Sequence, residues 1–349
     1  MAGSSREAGT GDAASARAVV RAFLEERGSL VREAAFTFQP IAVEALPILG
    51  AGVAWLTLLE LPFLFLPTLS ANYAAVLWIA GLTALGALVW AIGNGARIPG
   101  AEIRQDTNLI ATLGETPIRR WIVAHVDTKA QGHSMAGRLV ALWLLVVAAG
   151  GITALIAWRM AAGVPPGWAV AAAAGLMTTA GVLARQGRLT GTSPGARDNA
   201  TGLLAAMAAA DARVPGTGFL FTGAEEFGLA GARAYAESGA ELVGAEWVNL
   251  DTITDRGRLY LVSHDRAGAE LADQIAPSLR SLEVPLRTRR LPAGILVDSV
   301  ALARAGARAC TISRLDWEDL RLMHTPRDTP DGLDTTTSLR VGRALVEVG

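Results

Sequence analysis

The chain has one cysteine, one lysine and four histidines among its 349 residues. The lone thiol, Cys310, excludes an intrachain disulfide and any cysteine-based zinc site; its place in the apolar run ARACTIS predicts a buried strand thiol. Charge is scarce too: 18% of residues are charged against 51% hydrophobic, and the formal net charge is −1. So even a balance gives no footprint for nucleic acid, which is excluded as an expected partner. The basic residues are almost all arginine, with Lys129 the one lysine. The N-terminus, MAGSSREAGTGDAASARA, lacks the basic-then-apolar order of a secretory signal. We expect a disordered lead-in over 1–15 and an N-terminal helical part over 16–45, opening with a helix near 16–27.

What the chain has in quantity is long apolar runs. Four stand out, at about 46–69, 73–93, 139–158 and 164–184. Each meets the roughly 20 apolar residues that a bilayer core demands of a helix. Glu60 is the one charge inside them, and its cost at mid-membrane, about 2.5–3.5 kcal/mol, predicts that it faces another helix or lies off-centre. The connectors PTLSANY and RMAAGVPP are short, so the runs form two transmembrane hairpins, 46–93 and 139–184. Hairpins return the chain to the side it left. Arg97, Arg104, Arg138, Arg185 and Arg188 cluster on that side, while the connectors hold only Arg159. By the positive-inside rule the polar portion, 94–138 and 185–349 with the N-terminal part, is expected on the cytoplasmic face, as in a bacterial inner membrane. Small residues in the fourth run, Ala171, Gly175 and Gly181, suit close helix packing. The lipid bilayer is therefore an expected partner.

In the polar remainder short apolar runs alternate with helical patterns: RWIVAHVD, NATGLLAAMAAADAR, GFLFTGAEE, FGLAGARAYAESG, EWVNLD, a helix near 266–281 and ARACTIS. That alternation predicts an α/β fold with a mostly parallel or mixed central sheet flanked by helices. Ligands of such sheets gather beyond the carboxyl ends of the strands. His125 and Asp127 close RWIVAHVD, Asp198 sits in SPGARDNATG, Glu225 and Glu226 follow GFLFTGA, Asp251 ends EWVNLD, and His324 lies in MHTPRDTPD. Singly each has a bland reading; Asp198 above all reads equally as the N-cap of the helix that follows. Together, two imidazoles and several carboxylates at one sheet edge are electrostatically costly without cations. Nitrogen and oxygen donors without thiolate suit zinc, cobalt or manganese. His125 and Asp198 flank the second hairpin and can share a site only if an even number of crossings separates them, which two crossings satisfy.

HVDT, GARDNATG, TGAEEFGLAGARAY, NLDTI and MHTPRDTPD, in this order, resemble the co-catalytic di-zinc exopeptidases of the leucyl aminopeptidase and aminopeptidase Y type, relatives of glutamate carboxypeptidases and glutaminyl cyclases. The resemblance covers roughly 98–136 and 186–335. It implies the three-layer sandwich of the zinc exopeptidases and two Zn2+ ions, with Co2+ or Mn2+ as substitutes. It further implies that His125 and Asp251 bind one zinc, that Glu226 and His324 bind the other, and that Asp198 bridges them. Asp127 would fix the orientation of the His125 imidazole, and Glu225 would be the general base. The activity implied is that of a membrane-anchored aminopeptidase acting on peptides. The same metal site used as a carboxypeptidase, amide deacylase or glutaminyl cyclase is the alternative within the class, and a non-catalytic membrane scaffold the alternative outside it. Arg197 and Ser299 depart from the family pattern, which expects Asn and His there; Arg197 would bring a cation near the metals, and the Asp298–Ser299 pair changes one wall of the pocket. His133 and His264 match no motif and are expected outside the site.

Overall fold

In the computed structural model residues 3–239, 242–292 and 294–346 are described. Contacts divide the chain into two units, Met1–Gln39 with Glu102–Ala130 and Gly191–Gly349, and Pro40–Ala101 with Gln131–Thr190.

The first unit is built on eight strands: β1 Leu30–Phe38, β2 Arg104–Thr112, β3 Arg120–His125, β4 Thr217–Thr222, β5 Glu246–Ile253, β6 Arg258–Ser263, β7 Leu286–Arg290 and β8 Arg308–Leu315. They form one mixed sheet in the order β1-β2-β4-β3-β5-β8-β6-β7. The centre, β4-β3-β5-β8, is parallel; β1 and β2 add to one side antiparallel, and β6 runs antiparallel to β8 on the other. The α/β class expected from the sequence is thus what is found. A parallel sheet must be covered on both faces, and the two-residue period of its strands supplies both. Ile122, Ala124, Phe219, Phe221, Val248 and Leu250 enter one core with Leu203 and Leu271 from helices Thr201–Asp211 and Arg266–Arg280. Trp121, Val123, Leu220 and Trp247 enter the other with Tyr235 and Leu302. There the Trp121 and Trp247 rings stack with centroids 5.1 Å apart.

The N-terminal expectations need correction. A helix begins at Gly11, capped by Thr10, and runs to Glu26. Arg6, inside the supposedly disordered lead-in, is fully buried; residues 1 and 2 of that lead-in lie outside the described residues. The part expected to be helical to residue 45 contains β1, whose backbone pairs with β2 from Leu30↔Thr112 to Phe38↔Arg104. A buried guanidinium with its hydrogen bonds satisfied is what small polar composition does not reveal.

The second unit holds four helices long and apolar enough to cross a membrane, Pro40–Phe65, Ala71–Gly93, Met135–Ala162 and Gly167–Arg185. Between 11 and 33% of each apolar window is buried, so most of their apolar surface is left uncovered within the chain. Several exposed aromatic residues lie towards the ends of these helices. Tyr73 and Trp90 are exposed at opposite ends of Ala71–Gly93, and Trp143 and Trp158 are exposed along Met135–Ala162. At ~1.5 Å per residue the pairs span about 26 and 22 Å, close to a hydrocarbon core flanked by aromatic belts. Gly181 packs where expected: a Cβ there would stand 3.1 Å from the Gly50 carbonyl oxygen, and one on Gly50 would stand 2.4 Å from Ala184 Cβ. Gly175 has nothing within 4 Å of such a Cβ and takes no part in that crossing. Glu60 is 0% exposed and faces into the helices.

Cys310 lies in β8, fully buried, and burial pushes its thiol up to about 12. At pH 8 only about one such thiol in 10,000 is ionised, and the thiolate is the reactive form. Ellman's reagent should leave the native protein in detergent untouched and titrate one thiol after denaturation; reaction at native pH 8 would overturn this placement.

Candidate metal centre

The parallel centre of the sheet brings the sequence motifs to one edge. β3 ends on His125, β4 ends three residues before Glu225, and Asp251 is the sixth residue of β5. Asp198 and His324 arrive from loops. Two groups result, His125, Asp198 and Asp251, and Asp198, Glu226 and His324; within each group one ligand atom per residue lies within 4.8 Å of the others. Asp198 belongs to both. Its Oδ1 is 3.1 Å from His125 Nε2 and its Oδ2 is 3.0 Å from His324 Nε2. His125 Nε2 lies 3.9 Å from Asp251 Oδ1, and His324 Nε2 lies 3.3 Å from Glu226 Oε1. All five side chains are buried.

The cap reading of Asp198 is resolved by its neighbour. Asn199 Oδ1 accepts from Gly202 N and Thr252 N, both at 3.0 Å, so Asn199 secures the start of helix Thr201–Asp211. Asp198 keeps φ −115° and ψ 92°, outside the helix, and its carboxylate turns to the imidazoles. Gly195, at φ +59°, makes the preceding turn; a Cβ there would stand 2.2 Å from Thr128 Cγ2 and 2.4 Å from the Asp198 carbonyl oxygen. Three non-glycine residues at the site are left-handed: Ala224 before the glutamates, Thr252 after Asp251, and His324 itself. Each costs about 1–2 kcal/mol, and such strain collects at functional sites.

Asp127 works differently from the role given it above. His125 Nδ1 meets the Asp127 carbonyl oxygen at 3.1 Å, while the Asp127 carboxylate is 3.7 Å away. A carbonyl only accepts, so the proton sits on Nδ1 and Nε2 is left with a lone pair for a cation. The carboxylate instead accepts the amides of Glu225 at 3.0 Å and Glu226 at 3.1 Å. It holds the turn that aims both glutamates.

Sequence reasoning missed several partners. Lys129 Nζ lies 2.5 Å from Glu226 Oε2. Burial opposes ionisation of Glu226, but Lys129 and His324 outweigh it and hold the carboxyl at about 2. Asp198 is likewise kept below the ordinary carboxylate range by the two imidazoles against its burial. Arg197 does not reach out towards a substrate: its Nε donates to Asp319 at 3.0 Å and its Nη1 to Thr329 O at 3.1 Å, with Asp328 3.4 Å away. Asp328 also accepts the amides of Arg197 and Asp198, so the motif TPRDTPD supplies a fastening as well as following the His324 ligand position. Asp298 is buried, takes the Thr222 hydroxyl on one oxygen, and is pushed by burial up to about 7. His264 is exposed and His133 lies in the second unit, both outside the site.

A divalent cation suits these groups. The donors are imidazole nitrogens and carboxylate oxygens, the set that zinc takes in catalytic sites, and Glu226 Oε1 has no hydrogen-bond partner.

Residues 179–349 match the family model for peptidase family M28. The chain carries a peptidase family M28 domain. The di-zinc exopeptidase resemblance read from the motifs is thereby borne out; His125, Asp127 and Lys129 lie ahead of the matched segment. No curated protein matches the chain by sequence. Solved structures share its fold: the LapA aminopeptidase of Legionella pneumophila (14% identity, 98% of this chain and 66% of that one, TM-score 0.53), the BSAP zinc aminopeptidase of Bacillus subtilis (13%, 98% and 89%, 0.55) and a glutaminyl cyclase of Fimbriiglobus ruber (16%, 98% and 88%, 0.53). This chain thus spans just under two thirds of the LapA chain.

Removing the Asp127 carboxylate should loosen the glutamate turn. For Asp127→Ala we expect zinc affinity, measured by chelator competition, to fall about 10–100-fold, with Asp127→Asn intermediate because one acceptor remains. Wild-type affinity in Asp127→Ala would show that the turn holds itself.

Proposed function

We propose that the protein is a membrane-anchored two-zinc aminopeptidase that removes N-terminal residues from peptides. The observation that carries this is the pair of ligand groups sharing Asp198, with a further glutamate beside them in sequence. In this reading His125 and Asp251 hold one ion, Glu226 and His324 the other, and Asp198 both. Bound there, two zinc ions would supply a Lewis acid for the scissile carbonyl and make hydroxide available near neutral pH.

Glu225 is then the proton carrier. Its amide is fixed by Asp127, and among the described residues its carboxylate has no hydrogen bond. Burial raises its carboxyl well above the ordinary range; Glu226, Asp298 and Asp251 add to the rise and His125 opposes it. A raised affinity for protons suits a group that takes one from the attacking water and returns it to the departing amine. The base acts ionised, so activity should fall as pH drops through this raised value. Surrounding carboxylates also attract the α-ammonium of a free peptide N-terminus, which favours aminopeptidase over carboxypeptidase action.

The four apolar helices anchor the enzyme. By the arginine bias around the hairpins we place the peptidase portion on the cytoplasmic side. A C-terminal tag should then resist protease in intact spheroplasts and be cut only after lysis; cleavage in intact spheroplasts would reverse the orientation.

The direct test is amino-acid release from free-amine and N-acetylated peptides by the detergent-purified protein, with zinc measured on the same sample. Free-amine peptides alone should be cleaved, and Glu225→Gln should keep zinc while losing about 10²–10⁴-fold in kcat. Cyclisation of an N-terminal glutamine without peptide cleavage would replace the peptidase reading with that of a glutaminyl cyclase. Zinc binding with neither reaction would leave only the metal site.

A further inference from the structure

Arg6 stands ahead of the first helix, in a segment whose composition suggests no structure, yet it is 0% exposed. Its guanidinium reaches two loops far apart in sequence. Nε donates to Val126 O at 2.8 Å, Nη1 to Pro194 O at 2.6 Å and Nη2 to Gly195 O at 3.0 Å. The backbone repeats the link: Arg6 N donates to Thr128 Oγ1 at 2.9 Å, Thr128 N donates to Arg6 O at 3.2 Å, and Thr128 Oγ1 donates to Ser193 O at 3.1 Å. Val126 directly follows His125, and Gly195 precedes Asp198 by three residues. The same charge lies in the field of Asp127, Asp198, Glu226 and Asp328.

We propose that Arg6 is a positioning residue for the metal centre: it fixes the His125 loop against the Asp198 loop and holds a positive charge behind the carboxylates. The proposal rests on the metal-site reading above. The planar guanidinium fork is what allows one side chain to bind carbonyls of both loops at once; a lysine ammonium carries the charge without that geometry. Burying a charge costs several kcal/mol after relaxation, and the carbonyls and surrounding carboxylates offset it here. The rival reading is that Arg6 merely fastens the N-terminal segment to the fold. Arg120 provides the comparison. It begins β3, at the opposite end from His125, and its side chain bonds to Glu246 and to the Leu345 carbonyl.

The experiment uses the full-length protein in detergent. Zinc affinity by chelator competition and thermal unfolding of the metal-free protein are measured for wild type, Arg6→Met, Arg6→Lys and Arg120→Met. Zinc binding by Arg6→Met should be at least about 10-fold weaker and Arg6→Lys should recover part of the loss, whereas Arg120→Met should unfold at lower temperature with wild-type zinc affinity. Wild-type affinity in Arg6→Met overturns the proposal, as does an Arg120→Met variant whose zinc affinity falls as far for the same loss of stability. Should Arg6→Met fail to fold, Arg6→Lys decides alone: weaker zinc binding than wild type supports the role and unchanged binding removes it. If the wild-type protein itself binds no zinc, the metal-site reading has failed, an outcome distinct from a normal wild type with an unaffected Arg6→Met.

Discussion

The carboxylate of Asp198 has an imidazole nitrogen within 3.1 Å of each oxygen, and the architecture around the site is organised by that shared anion. Glu226 and Asp251 stand beside it, and Glu225 and Asp298 add further buried carboxyls. So much negative charge out of water is tenable only with positive charge to match. The chain itself supplies Lys129 at Glu226 and Arg6 behind the loops. The same crowding pushes Glu225 and Asp298 towards retaining protons. A divalent ion in either ligand group would relieve the rest, while Glu225, whose proton affinity is raised, belongs to neither group.

This constraint explains where the fold tolerates insertion. The first pair of apolar helices lies between β1 and β2, whose nine-residue antiparallel register is unbroken on either side of it. The second pair lies between β3 and the Asp198 loop, so His125 and Asp198 are parted by two long apolar helices and still lie 3.1 Å apart. Both insertions replace connections, and neither interrupts a strand that carries a ligand. Loop-closure entropy grows slowly with length, so such connections tolerate an added pair of helices at little cost to the sheet.

The parallel strands and the site residues were legible in the sequence because both follow strong rules. Strands buried on both faces read as continuous apolar runs, and chemistry at their carboxyl ends falls at the punctuation after each run. β1 and β7 escaped notice because their sequences obey neither rule: LRTRR in β7 is mostly exposed, and LVREAAFTF in β1 is buried only at its last residue; β2 and β6 are largely buried, but no candidate ligand follows them to mark their ends. Among the site residues, the candidate ligand positions announced themselves as histidines and carboxylates at strand ends and in punctuated loops, whereas Arg6 and Asp328 act through backbone groups at distances no local pattern encodes. Asp127 shows the finer limit. Its place beside His125 was readable, but its carboxylate serves a turn nearly a hundred residues away.

The apolar unit carries little chemistry of its own. Thr57 and Glu60 are the buried polar side chains in the four helices among the described residues, and Thr57 Oγ1 is already bonded to the Val53 carbonyl. Trp78 Nε1 donates to Thr153 Oγ1, closing another polar pair within the helices. A transport path needs a succession of polar groups across the bilayer, and one carboxylate with its neighbours satisfied does not make one. The helices are thus long, apolar and poor in buried polar groups. The clustered chemistry lies instead beyond the strand ends, where two imidazoles meet one carboxylate.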